Sequence, residues 1–124
     1  MGRKGDAATG RAAHRLGLRA ELLAAMLLRL KGYRILAQRL KTPAGEIDMV
    51  ARRGRALAIV EVKARGDETG AAEALQPRQL KRLERAAAHF LGRNPALASL
   101  DLRFDVVLVT PFRLPRHMQD AWRP

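Results

Sequence analysis

The spacing of hydrophobic positions changes character along the chain. From about Gly10 to Lys31, Leu16, Ala20, Leu23, Leu27 and Leu30 recur at steps of three and four. That spacing lines them up on one face of an amphipathic helix. Gly32 follows as the residue that closes a helix in the left-handed conformation. Gly17 costs about 1 kcal/mol relative to Ala in such a helix. Strand-like segments come next. Tyr33 to Leu40 carries Tyr33, Ile35 and Leu36, and Thr42-Pro43-Ala44-Gly45 reads as a turn. Glu46 to Arg52 alternates, with Ile47 and Met49 assigned to one side and Glu46, Asp48 and Val50 to the other. Arg53-Gly54-Arg55 is a tight hairpin connection. Ala56 to Ala64 is rich in Leu, Ile and Val, as a central buried strand is.

Gly66 to Gln76 shows no clear period and includes Gly66, Asp67, Glu68 and Gly70, so a mobile loop is expected there. Pro77 suits the first turn of a helix. Leu80, Leu83, Ala87 and Phe90 or Leu91 supply its apolar face, and Gly92 is expected to stop it. Leu102 to Thr110, with the run Val106-Val107-Leu108-Val109, reads as another strand. His117 to Trp122 is too short to assign. The order is helix, three strands, helix, strand. This predicts an α/β fold: a central mixed β-sheet flanked by helices. Residues 1–10 hold three glycines and several charges and are expected to form a flexible basic N-terminal arm. Residues 11–124 would then be one domain.

Composition narrows the function. Without cysteine, thiol nucleophiles, disulfides and thiolate zinc sites are excluded. No apolar run approaches the ~20 residues that span a bilayer. The basic start lacks the apolar core of a secretory signal, so a cytoplasmic location and no membrane partner are expected. Lys plus Arg number 24 against 12 Asp plus Glu, a formal net charge of +12. An excess this large in a small domain favours a polyanionic partner, above all nucleic acid. With five aromatic residues in the chain, base stacking is not the main recognition mode.

Charged residues inside apolar strands need an explanation, because burying them is costly unless they are paired or bind metal. Glu61 and Lys63 are two apart and project to the same face, with Val60 and Val62 on the other. The hairpin can bring Asp48 alongside Glu61, on the same face if the register allows. Read as chemistry, Asp48, Glu61 and the Val62 carbonyl would hold Mg²⁺ or Mn²⁺. Lys63 would then orient or deprotonate an attacking water. Read as architecture, Lys63 merely neutralises Glu61 while Asp48 reaches solvent. An E-x-K triplet alone does not separate the two.

Gly45-Glu46-Ile47-Asp48, followed after twelve residues by Glu61-Val62-Lys63, resembles the D…(D/E)-x-K signature of restriction-endonuclease-like nucleases. It is most similar to that of the YraN family, related to archaeal Holliday junction resolvases. Gly17, Glu21 and Ala24, Gly32-Tyr33-Arg34-Ile35-Leu36, Arg65 and Arg103-Phe104-Asp105-Val106-Val107 extend the resemblance over roughly residues 17 to 110. It implies a restriction-endonuclease-like fold with catalytic Glu21, Asp48, Glu61 and Lys63. On its own pattern Glu21 is a boundary residue beside the apolar stripe, and Glu46 is a further acid near Asp48. Gln79 falls where relatives place a Gln or Lys; a lysine there would add a phosphate contact that Gln79 lacks. Asp105 is read as the ion-pair partner of Arg103, and His14, His89 and His117 show no ligand spacing.

The leading expectation is therefore a divalent-metal-dependent DNA endonuclease-like protein, with branched DNA as a candidate substrate. Arg11, Arg15, Arg19, Arg65, Arg78, Gln79, Lys81, Arg82 and Arg85 would contact the nucleic acid. The alternatives are a non-catalytic nucleic-acid-binding module that keeps the nuclease fold, and a domain whose basic surface docks on an acidic protein. Monomer and homodimer both stay open.

Overall fold

A computed structural model describes residues 3–64 and 76–122, with side chains from Gly17 onward in the first helix. The elements are α1 (Arg3–Leu30), β1 (Arg34–Thr42), β2 (Gly45–Arg53), β3 (Ala56–Ala64), α2 (Pro77–Arg93), β4 (Asp101–Val109) and β5 (Arg116–Trp122). Among the described residues they form one five-stranded sheet in the order β1-β2-β3-β4-β5. Neighbouring pairs are antiparallel except β3 and β4, which run parallel across the α2 connection. This is the mixed α/β arrangement of a restriction-endonuclease-like fold.

Alternation along the strands sorts the core into two layers. Leu28, Ala24, Met49, Ala58, Val60 and Val107 pack on the α1 side. Ile47, Val50, Leu57, Ile59, Leu83 and Phe90 pack on the α2 side. Each apolar side chain of this size contributes about 1.5–3 kcal/mol when fully withdrawn from water. The layers therefore supply the bulk of the stability that aromatic residues provide elsewhere. No described helix is long and apolar enough to cross a membrane.

The chain enters the sheet through Gly32, whose φ of +91° is open to glycine at little cost. The Tyr33 N–H returns to the Leu28 carbonyl at 2.9 Å and the Gly32 N–H to Arg29 at 3.0 Å. This closure satisfies orphan carbonyls of α1 and drops the Tyr33 ring into the core. Tyr33 thus precedes β1 instead of opening it. The helix itself begins at Arg3, not near Gly10. Residues 3–10, assigned to an arm from sequence, are helical because Arg, Lys and Ala, good helix formers, outweigh the glycines. Gly92 is likewise one residue short of the helix end, Arg93.

Three further differences matter for the site. First, Ile47 and Met49 do not share a face: Ile47 lies with Val50 on the α2 side and Met49 with Ala51 on the α1 side. Strict alternation breaks at Asp48. Second, β1 is out of step between Ile35 and Ala37, and Arg39 takes a left-handed φ of +50°. Third, the unassigned segment ending at Trp122 is the strand β5, an edge strand on β4.

Candidate active site at the open end of β2 and β3

The β2–β3 ladder pairs Arg53 with Ala56 and proceeds as far as Met49 with Val60. Beyond that rung the strands part. There the Asp48 Oδ2 accepts the Val62 N–H at 2.8 Å. A side chain has taken the place of the next ladder carbonyl, which is why Asp48 lies where alternation fails. The carboxylate is held at the rim of the sheet, between the two helical layers.

Glu61 reaches the same rim from β3 on the α2 side. It is 5% exposed. Its Oε1 lies 3.0 Å from the Lys63 ammonium and accepts the Gln79 amide N–H at 3.3 Å. Its Oε2 is buried with no hydrogen-bond partner among the described residues. An unsatisfied buried carboxylate oxygen costs free energy that a bound cation or water would recover. Val62 faces the opposite layer, packing against the α1 cluster.

Glu21 approaches from α1, but its Oε2 accepts the Arg39 Nε–H at 2.7 Å. Arg39 is directly involved here and was not singled out from sequence. Nothing in its local pattern marks it; a left-handed arginine inside a strand, costing on the order of 1 kcal/mol, is the structural sign. The four groups feel one another electrostatically. Burial, then the neighbouring Glu61 charge, pushes the Asp48 carboxyl up to about 7; the Val62 N–H opposes this, Glu21 adds to it and Lys63 opposes it.

These residues suit a hard divalent cation on the donor chemistry present. Among the described residues no three acidic or histidine side chains converge on one point. The available set is two carboxylates, Asp48 and Glu61, with the Val62 backbone beside them. That matches Mg²⁺, which retains several waters and uses one or two carboxylates plus substrate phosphate. The unpartnered Glu61 Oε2 and the unfavourable charge of Asp48 would both be relieved by a cation. Glu21, paired with Arg39, is not free to join them in this arrangement.

The remaining expected residues divide by position. Glu46 is exposed and offers only its carbonyl, to Arg82 at 3.0 Å. Arg82 is half-buried because its side chain lies across Gly45, where a Cβ would run into it; Gly45 also has φ of +132°. Arg78, Lys81 and Arg85 are exposed along α2, and Arg19 is exposed on α1. Arg11 and Arg15 belong to the helical stretch whose side chains lie outside the described residues, as do Arg65 and nearly all of the expected loop at 66–76.

A second buried acid lies deeper in the sheet. Asp105 on β4 accepts both Arg103 Nε–H and Arg103 Nη2–H at 2.8 Å, and the Asp120 N–H at 2.9 Å. His117 Nε2 lies 2.7 Å from its Oδ2. Burial alone would raise Asp105, but hydrogen bonds from His117, Arg103 and the Asp120 amide hold it below the ordinary carboxylate range. Lys31 sits against His117 Nδ1, so the imidazole is bonded on both nitrogens, and Arg103 also donates to the Tyr33 hydroxyl. His117 was seen from sequence only as a scattered histidine; its partners lie 12 and 86 residues away.

Comparison with known proteins places this arrangement in a lineage. A UPF0102 protein of Parvibaculum lavamentivorans is 75% identical over 122 residues, covering 98% of this chain and 92% of the relative. A UPF0102 protein of Paramagnetospirillum magneticum is 60% identical over 116 residues, covering 90% of each. One from Caulobacter vibrioides is 50% identical over 113 residues, 91% of this chain and 90% of the relative. The family model described as "Uncharacterised protein family UPF0102" matches residues 20–109, which takes in Glu21, Asp48, Glu61 and Lys63. On this match, and in agreement with the YraN resemblance, the chain belongs to the UPF0102 family.

Proposed function

We propose that the protein is a divalent-metal-dependent DNA endonuclease acting at the rim where β2 and β3 part. One observation carries the reading. Two carboxylates from neighbouring strands meet beside a lysine, and one of them keeps a buried oxygen without a partner. Asp48 and Glu61 would hold Mg²⁺ or Mn²⁺, which when bound neutralises charge on a phosphodiester and lowers the pKa of water. Val62 fixes Asp48 through its amide, and Gln79 fixes Glu61 from α2. Lys63, already against Glu61, is the proton-handling group beside the reacting phosphate. The net charge of +12 supplies the long-range attraction for a polyanion.

The test is cleavage of linear, nicked, flapped and four-way-junction DNA with Mg²⁺ or Mn²⁺. Asp48→Ala and Lys63→Ala are expected to lower the rate at least ~100-fold, the scale on which a metal ligand or proton-transfer group acts. Unchanged cutting by both variants ends the reading. A preference for the four-way junction would identify branched DNA as the substrate. A second reading, a nucleic-acid-binding module without cleavage, is favoured by one observation. Glu21 and Glu61 are already neutralised by Arg39 and Lys63. It expects salt-sensitive binding, equal in Asp48→Ala, and no metal-dependent product.

A further inference from the structure

One sizeable cavity among the described residues lies away from the carboxylates. It is an open groove of about 770 Å³ between the Thr42–Gly45 turn and the C-terminal half of α2. Arg85, His89 and Arg93 line it at four-residue intervals, over a floor that includes Ala88 and Gly92. A second groove of about 470 Å³ adjoins it, sharing His89 and Arg93 and adding Lys41.

Several features set this groove apart from a solvated charged face. Residues four apart on a helix stand about 6 Å apart along its axis and point the same way. The three side chains therefore make an ordered row. No acidic side chain lines either groove, and Arg85, His89 and Arg93 have no ion-pair or hydrogen-bond partner among the described residues. Elsewhere, by contrast, Arg39, Arg55 and Arg103 are each matched to an acid. Ala88 and Gly92 leave room for a bulky chain to lie against the helix. The turn forming the opposite wall is pinned: Thr42 Oγ1 donates to the Gly45 carbonyl at 2.6 Å and accepts the Ala44 N–H at 3.2 Å. A small-molecule site would be more enclosed and apolar. An open row of two arginines and a histidine suits a linear polyanion.

We infer that this groove is a backbone track, in which Arg85, His89 and Arg93 hold successive phosphates of nucleic acid leaving the Glu61–Lys63 site. The inference rests on the reading of that site as one acting on nucleic acid. The geometry joins the two: Gln79, on the same helix, touches Glu61, and Arg82 lies between, packed over Gly45. Gln79 to Arg93 is about 21 Å of helix, the length of roughly six base pairs at 3.4 Å each. The track thus sets a footprint on one side of the scissile position. His89 contributes a ring N–H donor in either protonation state.

The test is binding of a labelled 20-base-pair duplex by the full chain in EDTA, across a salt series. EDTA makes the result independent of cleavage. Arg85→Glu with Arg93→Glu is expected to weaken binding roughly 10- to 100-fold at 0.1 M salt and to lower the log–log salt slope by about 2, one phosphate per arginine. Arg52→Glu with Arg55→Glu makes the same charge change at the opposite, β2–β3 turn end of the sheet, and is expected to leave most of the slope intact. Arg85→Gln with Arg93→Gln should show the same ordering with smaller losses, which guards against a folding defect in the glutamate pair. The inference is overturned if the groove variants bind like the parent, if the control loses as much, or if the parent does not bind duplex. Loss of cleavage in Asp48→Ala with unchanged groove binding supports both readings; absence of cleavage with groove-dependent binding removes the nuclease and keeps the track.

Discussion

Asp48 sits where the β2–β3 ladder ends and Asp105 where the β4–β5 ladder goes out of step, and each accepts an amide proton from the neighbouring strand, Val62 N–H in one case and Asp120 N–H in the other. Their surroundings then diverge. Asp105 is enclosed by Arg103 and His117, with Lys31 behind the imidazole. Asp48 accepts the Val62 amide and faces Glu61 and Glu21, with Lys63 as a partial counterweight. The first carboxyl is driven down and the second up to about 7. The same backbone device thus serves two ends. One acid, surrounded by cationic partners, fastens β5 to the sheet; the other, set among acids, is held against its charged form.

The largest effect that could break this contrast is at Asp105. Asp105→Ala should destabilise the fold by about 3–5 kcal/mol, because Arg103 is left charged and part-buried. Urea denaturation at pH 7 would measure it; a loss under ~1 kcal/mol would show that the hub holds little. The pH dependence follows from the lowered carboxyl. Its stabilisation is present above the ordinary value of 3.8 and disappears as pH falls through the lower folded value. The gap between parent and variant should therefore close only in strong acid.

Asp48 should behave in the opposite sense. Its folded carboxyl is raised, so the contribution to stability is complete below 3.8 and is lost as pH rises through about 7. Asp48→Asn retains an acceptor for the Val62 amide and removes the charge. Without divalent metal it should be more stable than the parent at pH 8 by about 1–2 kcal/mol, a value discounted for the solvent that reaches this rim. At pH 3.5 the two should coincide. Mg²⁺ at pH 8 should raise the parent's melting temperature and leave that of Asp48→Asn unmoved, which calorimetry can read. Equal stability of the two proteins at pH 8 would contradict the raised carboxyl.

The smallest effect concerns the support of Glu61. Gln79→Ala removes one 3.3 Å hydrogen bond to a carboxylate that Lys63 still neutralises, so the cost should stay within about 1 kcal/mol. Its influence should appear instead as weaker Mg²⁺-induced stabilisation, since Glu61 would be less firmly oriented. A thermal shift titration separates the two results.

Much of this contrast is hidden in the sequence for a definable reason. Periodicity places β3, β4, α2, the extent of β2 and the C-terminal end of α1 well, because Ile59, Val60, Leu83 and Val107 obey simple alternation or helical spacing. It pairs Glu61 with Lys63 correctly for the same reason. The method fails where a residue leaves its regular conformation. At Asp48 the two-residue period breaks, so Met49 changes layers. At Arg39 a left-handed backbone aims a guanidinium at Glu21, 18 residues earlier. β5 is invisible because its residues are mostly exposed or half-buried at a sheet edge. His117 finds Asp105 only through strand pairing between segments with no shared local pattern.

The bond from Val62 to Asp48 also gives the molecule a built-in reporter. A main-chain proton ordinarily shared between two backbones here rests on a titrating carboxyl. In an NMR spectrum the Val62 amide resonance should therefore move with pH, with a midpoint near 7, while amides along the regular rungs from Met49 to Arg53 stay still. That single signal would give the protonation of the rim directly, without substrate, metal or mutation.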